Sequence, residues 1–158
     1  MLESLLVLAL IFAPAFADPT AQLEAHARAA VERMAPCRGE QGPRAACLRD
    51  HRAIAHAVSL AAESEADAVA LIGLCAHESG CRDVDQVGGP ALGPWQCEPA
   101  RQLRASLRAD LLAQARFALR AWHAGSKTYA CGGGDCEKAA GELRHYVASA
   151  WWAWAATR

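Results

Sequence analysis

The feature that most constrains the fold is a run of ten residues, 68–77, that contains no Asp, Glu, Lys or Arg and is followed at once by Glu78. Residues 69–76 are apolar all round when placed on a helix, and such a helix has to be buried on every side. Ser64 with Asp67 three residues later predicts a capped start, and Gly80 predicts the end. The sequence therefore predicts a central core helix that carries one acid in its last turn.

That position predicts unusual acid–base behaviour for Glu78. Burial and the partial negative charge at the end of a helix both disfavour the ionised carboxyl, and both therefore raise its pKa. A carboxyl that keeps its proton near neutral pH can protonate a leaving oxygen. Glu78 is therefore the predicted catalytic residue, as a general acid.

The rest of the chain predicts an all-α fold. Apolar residues recur at three- and four-residue spacing in four further segments, and no alternation of period two runs for any length. The predicted helices are 20–35, 44–63, a single helix from Pro99 that ends at Gly125, and 137–157. Residues 80–98, rich in Gly and Pro, predict a long irregular loop of the kind that usually carries function.

The first residues predict a secretory signal peptide. An apolar segment, 5–16, is too short to cross a bilayer and ends in Ala-Phe-Ala at 15–17, a cleavage pattern. An uncleaved anchor is the alternative, because Glu3 stands where a basic residue is usual. We expect a signal peptide at 1–17 and one domain at 18–158, in a secreted or periplasmic protein.

Seven cysteines also fit export to an oxidising compartment. Two pairs flank short, turn-rich segments, and a third pair brackets the long loop. The predicted bridges are Cys37–Cys47, Cys131–Cys136 and Cys81–Cys97. The remaining Cys75 is predicted to be a reduced thiol inside the core helix.

Charge and metal-ligand spacing exclude several classes of partner. The formal net charge is −1, so a basic surface for nucleic acid is absent. His-Glu at 77–78 lacks the second His of a zinc protease motif, and His51 with His56 lie on different helix faces. We expect no metal, no cofactor, no stable membrane insertion and a monomer.

Two short motifs resemble a known family. His-Glu-Ser-Gly at 77–80, followed by Ala-Leu-Gly-Pro-Trp-Gln at 91–96, resembles the E-S-G and G-L-M-Q motifs of soluble lytic transglycosylases and related lysozyme-like domains. Pro94 and Trp95 replace the usual small or aliphatic pair before the glutamine. The resemblance implies a compact lysozyme-like helical domain with disulfide-closed loops that cleaves peptidoglycan glycan strands.

The resemblance also implies roles for individual residues. A lone Glu, here Glu78, acts first as acid and then as base in that family. The substrate-binding residues carried over by the motifs are Ser79, Gly93, Trp95 and Gln96. Gly93 would let the loop backbone approach a sugar, Trp95 would stack on a sugar ring, and Gln96 would offer a donor and an acceptor to acetamido groups. The family also places a Tyr beside the catalytic Glu; Tyr146 is favoured for this role, with His123 as the reserve.

Three alternatives remain open. A hydrolytic lysozyme would need a second carboxylate, for which Asp83 and Asp85 are the candidates, although both equally fit solvated loop residues. A secreted, disulfide-stapled binding or inhibitor protein would need a buried arginine, such as Arg82 or Arg104, to compensate Glu78. A thiol protease built from one Cys and one His has no local motif in its favour.

Overall fold

The computed structural model describes residues 18–125, 129 and 136–158. This part of the chain is helical and contains no strand, only one isolated β-bridge between Leu92 and Cys97. The helices are α1 (Pro19–Met34), α2 (Gln41–Ala61), α3 (Glu65–Glu78), α4 (Arg104–Arg108), α5 (Leu111–His123) and α6 (Cys136–Ala155). The all-α prediction is therefore confirmed, whereas the predicted signal peptide lies outside the described residues. In the described part of the chain, every helix is too short or too polar to cross a membrane.

Helix α3 is the centre of the fold, as its sequence predicts. Its residues 68–75 are all buried, and the helix contacts α1, α2, α5 and α6. Ser64 Oγ accepts the Asp67 N–H at 3.2 Å, which confirms the predicted cap. Gly73 lets α6 approach closely, because a Cβ at this position would lie 2.6 Å from the Val147 Cα. The apolar run is therefore enclosed by helices on all sides.

The prediction of a single helix from Pro99 to Gly125 is wrong, because the structure divides this segment into separate elements. A 3₁₀ turn, Arg101–Leu103, leads into the short α4, and α5 begins afresh after Asp110. The Asp110 carboxylate accepts the Ala113 N–H at 3.0 Å, and its backbone is extended. Aspartate caps a new helix in this way instead of continuing the old one. The spacing of the leucines did not reveal the break between the helices, because Leu107 and Leu111, on either side of it, both pack on the core.

The disulfide predictions had mixed outcomes. The Cys37–Cys47 bridge is confirmed. The Cys81–Cys97 bridge and the reduced Cys75 are wrong, because Cys75 and Cys81 are bridged and Cys97 is a buried free thiol. Gly80 turns the chain back with φ +62°, and the Cys81 N–H then donates to the Cys75 carbonyl at 2.9 Å. The predicted Cys131–Cys136 bridge is left open, because Cys131 lies outside the described residues.

Candidate functional site

Glu78 ends α3 with its side chain only 23% exposed. Its Oε1 lies 3.3 Å from His77 Nδ1, and the chain turns two residues later, at Gly80. Burial raises the pKa of Glu78, the nearby His77 partly opposes this, and the charge of Glu98 adds to it. The raised pKa expected from the sequence is thus supported by the geometry of the site.

The arginines that a purely structural Glu78 would need are used elsewhere. Arg82 Nε lies 2.7 Å from Asp50 Oδ2, on α2. Arg104 donates to the backbone carbonyls of Gly89 and Pro90. In the described part of the chain, no arginine pairs with Glu78. The non-catalytic interpretation, which needs a buried arginine beside Glu78, therefore loses its two candidates, and the basic side chain beside the carboxyl is His77 instead.

Ser79 joins the end of α3 to the second motif. Its hydroxyl donates to the Pro94 carbonyl at 2.8 Å and accepts the Arg82 N–H at 3.0 Å. Residues 92–97 form a tight turn, closed by two backbone hydrogen bonds of 2.9 Å between Leu92 and Cys97. We call residues 92–97 the motif turn. One serine hydroxyl therefore fixes the motif turn against the end of the helix that bears Glu78.

Trp95 is buried, so its predicted role as a stacking platform is wrong. Its side chain is packed in the core, and its Nε1 donates to the Leu71 carbonyl of α3 at 2.9 Å. A ring enclosed in this way cannot stack on a sugar. Burying the ring and satisfying its single donor attach the motif turn to the core helix.

The structure requires a glycine at position 93 because of a contact inside the protein, and the predicted approach of a sugar is not needed to explain it. Its φ is +63°, and a Cβ would lie 1.9 Å from Gln114 Oε1. Gln114 is fully buried, and this oxygen accepts no hydrogen bond from the described residues. The Cα–H that replaces the Cβ points towards it, which provides a weak donor. The absent side chain makes room for the buried carboxamide of Gln114.

Gln96 has both amide hydrogens occupied inside the loop. Its Nε2 donates to the Gly93 carbonyl at 2.7 Å and to the Val84 carbonyl at 2.9 Å. The predicted donor to an acetamido group is therefore engaged already by two backbone carbonyls. Its φ of +46°, uncommon for a residue with a side chain, places the carboxamide over the loop.

Asp83 and Asp85 are both ion-paired, although the side chain of Asp85 is also exposed to solvent. Arg108 Nη1 lies 2.9 Å from Asp83 Oδ1, and Arg108 Nε lies 2.9 Å from Asp85 Oδ1. Asp85 Oδ1 also accepts the Gly93 N–H at 3.1 Å. Burial raises the pKa of Asp83, although Arg108 opposes this. Both carboxylates hold the long loop against α4, which weakens each as a second catalytic group.

The two candidates for the supporting aromatic position lie in different places. Tyr146 packs against the His77 ring, with the ring centroids 5.0 Å apart and the planes at 78°. It therefore contacts the residue next to Glu78 in the chain. His123 pairs with Asp67, at the first turn of α3, with 2.9 Å between Nε2 and Oδ1. That is about 16 Å along the helix from Glu78, given 1.5 Å of rise per residue. His123 is therefore not part of the Glu78 site.

Two groups that interact electrostatically with Glu78, Tyr129 and Glu98, were not among the residues that the sequence motifs identified. The Tyr129 hydroxyl donates to the Trp95 carbonyl at 2.7 Å. Burial raises the pKa of Tyr129 well above its usual value, and the charge of Glu78 adds to this. Glu98, which follows the motif turn, is the carboxylate whose charge reaches Glu78. Its position directly after the second motif was the available signal.

Neither a metal site nor a thiol catalyst has support elsewhere in the described chain. Cys37, Cys47 and His51 bring three possible ligand atoms within 4.8 Å, but the two sulfurs are bonded to each other and offer no thiolates. Cys97, the free thiol, donates to the Gln114 carbonyl. Burial raises the pKa of Cys97 to about 12. With so high a pKa, Cys97 is almost entirely in the unreactive thiol form at neutral pH, which argues against a thiol catalyst.

Comparisons with known proteins provide no relative from which a function could be inferred, so a function has to be inferred from the geometry of the site. No family model, no curated protein and no solved structure matches the chain. The described site therefore consists of Glu78, its neighbour His77, and the motif turn that Ser79 and Trp95 fix against α3.

Proposed function

We propose that this protein is a lytic transglycosylase with a lysozyme-like domain, and that it cleaves the β-1,4 bond between N-acetylmuramic acid and N-acetylglucosamine in peptidoglycan. The observation that carries the proposal is the state of Glu78: a largely buried carboxyl with a raised pKa and no arginine partner in the described chain. A general acid needs these properties. The Glu-Ser-Gly and Leu-Gly-Pro-Trp-Gln motifs supply the reaction class by resemblance.

The proposed reaction uses one carboxyl twice. Glu78 gives its proton to the glycosidic oxygen as the bond to the anomeric carbon breaks. The resulting carboxylate then takes the proton from the hydroxymethyl oxygen of the muramic acid, which attacks the anomeric carbon and forms a 1,6-anhydro ring. No water is consumed, and Glu78 ends in the protonated form in which it began. The attack is intramolecular, which replaces a positioned water molecule.

The environment of the other acids supports a mechanism with one acid. Asp83 and Asp85 are held by Arg108, and a nucleophile or base would have to leave that pair. The two disulfides fit an oxidising compartment, where a peptidoglycan substrate is also found. A secreted or periplasmic location, which the first residues suggest, is therefore part of this proposal.

Mass spectrometry of the products tests the proposal. We expect purified peptidoglycan to release muropeptides with 1,6-anhydro ends, and Glu78→Gln to reduce the rate by at least about a hundredfold. Gln matches Glu in size, so the variant should unfold at the denaturant concentration of the wild type or above. Binding to peptidoglycan without release of muropeptides by the wild type would contradict the proposal and favour a binding protein.

A hydrolase is the second candidate because the charge of Glu98 reaches Glu78. A glycosidase of that class pairs two carboxylates across the scissile bond. We expect Glu98→Gln, Asp83→Asn and Asp85→Asn each to keep most of the activity under the one-acid mechanism. Reducing ends that carry ¹⁸O from labelled water, together with a folded but inactive Glu98→Gln, would identify a hydrolase.

A further inference from the structure

His77 lies between two carboxyl groups that belong to different helices. Its Nδ1 is 3.3 Å from Glu78 Oε1, and its Nε2 is 3.8 Å from Glu142 Oε2 of α6. Both ring nitrogens therefore face a carboxylate oxygen. The contact at Nδ1 is within hydrogen-bonding range, whereas the 3.8 Å separation at Nε2 allows only an electrostatic contact.

Helix α6 holds the imidazole ring from a second direction. Glu142 and Tyr146 are four residues apart on α6 and therefore lie on the same face. Tyr146 presents an edge-on contact to the His77 ring at 5.0 Å. The backbones of α3 and α6 are also in tight contact at Gly73 and Val147, one turn from His77. The ring thus has a polar contact at each nitrogen, an aromatic neighbour, and little freedom to move away.

We propose that His77 is the positioning residue for Glu78, and that Glu142 and Tyr146 act on the reaction through His77. This inference rests on the proposed function and adds a device that the motifs do not contain. When Glu78 gives its proton to the glycosidic oxygen, a negative charge forms 3.3 Å from His77 Nδ1. An imidazole N–H donor oriented at this point stabilises that charge. The proton returns to Glu78 from the substrate hydroxyl, so the reaction takes no proton from His77.

The charges around Glu78 give this role a distinctive pH signature. Glu98 from the loop raises the pKa of Glu78, and His77 is the neighbour that lowers it. The Cys97 thiol and the Tyr129 phenol, also in electrostatic contact with Glu78, are uncharged at neutral pH because their own pKa values are raised. Without the imidazole, burial and Glu98 act unopposed. Glu78 should then remain protonated to a higher pH.

His77→Gln tests the inference, because glutamine keeps a donor but cannot carry a charge. We expect kcat to fall about ten- to a hundredfold with little change in KM, because the charge that forms on Glu78 loses the imidazole that stabilises it. The alkaline limb of the pH–rate profile should move to higher pH, because His77 lowers the pKa of Glu78 in the wild type. The control is His56→Gln, which removes an exposed imidazole 2.8 Å from Glu24 and should change neither quantity. If kcat falls in His77→Gln but the alkaline limb of its pH–rate profile does not move, His77 has only a structural role and the inference is overturned.

A double-mutant cycle tests whether Glu142 acts through His77. We expect Glu142→Gln to lower kcat a few-fold in the wild type and to have no further effect in the His77→Gln background. Multiplicative losses in the double variant would overturn the proposed chain of contacts. Tyr146→Leu should behave like Glu142→Gln in the same cycle, with a smaller effect.

A measurement that needs no activity separates this inference from the proposed function. The side-chain carboxyl carbon of Glu78 can be titrated by ¹³C NMR and assigned with Glu78→Gln. We expect its midpoint to rise in His77→Gln and to stay unchanged in His56→Gln. Absence of lytic activity in the wild type would refute the proposed function, whereas an unchanged midpoint in His77→Gln would refute the coupling to His77.

Discussion

The replacement of Gly93 by alanine tests which partner requires this glycine. The new Cβ would lie 1.9 Å from Gln114 Oε1, on a side chain with no exposed surface. Relieving such an overlap costs about 1–3 kcal/mol. The left-handed backbone, with φ +63°, costs an alanine about 1–2 kcal/mol more. We therefore expect Gly93→Ala to lower the free energy of unfolding by about 2–5 kcal/mol.

The double variant Gly93→Ala/Gln114→Ala separates these two costs. Without the Gln114 carboxamide, adding the Cβ should cost only the backbone part, about 1–2 kcal/mol. The coupling energy between the two sites should then be about 1–3 kcal/mol. Gln114→Ala alone loses the Nε2 hydrogen bonds to the Leu107 and Arg108 carbonyls, and the cycle subtracts this loss.

Urea unfolding followed by tryptophan fluorescence supplies the four free energies, since the chain has five tryptophans. Disulfides are kept intact, and glycan release is measured on the same samples. Additive costs would show that Gly93 and Gln114 do not meet in the folded protein. An unchanged denaturant midpoint with lost activity in Gly93→Ala would restore the sugar-contacting role that the motif implied, and would refute the assignment of Gly93 to the core.

Three further predictions concern the same region. Trp95→Ala should lower the free energy of unfolding by about 3–5 kcal/mol because the ring is enclosed; a variant as stable as the wild type but unable to bind glycan would make the ring a sugar platform. Peptide mapping without reduction should link Cys75 to Cys81 and leave Cys97 free and slow to alkylate in the native state; a Cys81–Cys97 peptide would contradict this. The folded state holds the Glu78 proton to a higher pH than the unfolded chain, so wild-type stability should fall as pH rises from the ordinary Glu value through the raised pKa of Glu78. Glu78→Gln should lack that decline, and equal pH dependence of unfolding in both proteins would count against a raised pKa.

The sequence alone predicted those features that depend on local periodicity and capping. An uncharged run of ten residues cannot face water along its whole circumference, so the burial of α3 followed from composition. The Ser64 cap and the turn at Gly80 are likewise local, because each depends on residues within one helical turn. The raised pKa of Glu78 followed from the same two facts.

Tertiary packing decided what the motif residues do. Trp95, Gly93 and Gln96 occur in a loop, where a sequence pattern cannot tell a side chain that faces a ligand from one that faces the core. In the folded chain Trp95 reaches the Leu71 carbonyl, 24 residues earlier, and Gly93 meets Gln114, 21 residues later. Contacts across such distances depend on how the helices dock, which the spacing of apolar residues does not encode.

The cysteine pairing and the environment of Glu78 also depend on tertiary contacts that the sequence pattern does not reveal. Cys81 was equally able, from the sequence, to bridge either neighbour, and the reversal at Gly80 brought it within 4.6 Å of Cys75, Cα to Cα. His77 could be seen beside Glu78 in the sequence, but its second carboxylate, Glu142, lies 65 residues away on α6. The sequence determined that one acid would be buried at a helix end, and the packing of α6 on α3 determined which groups surround it.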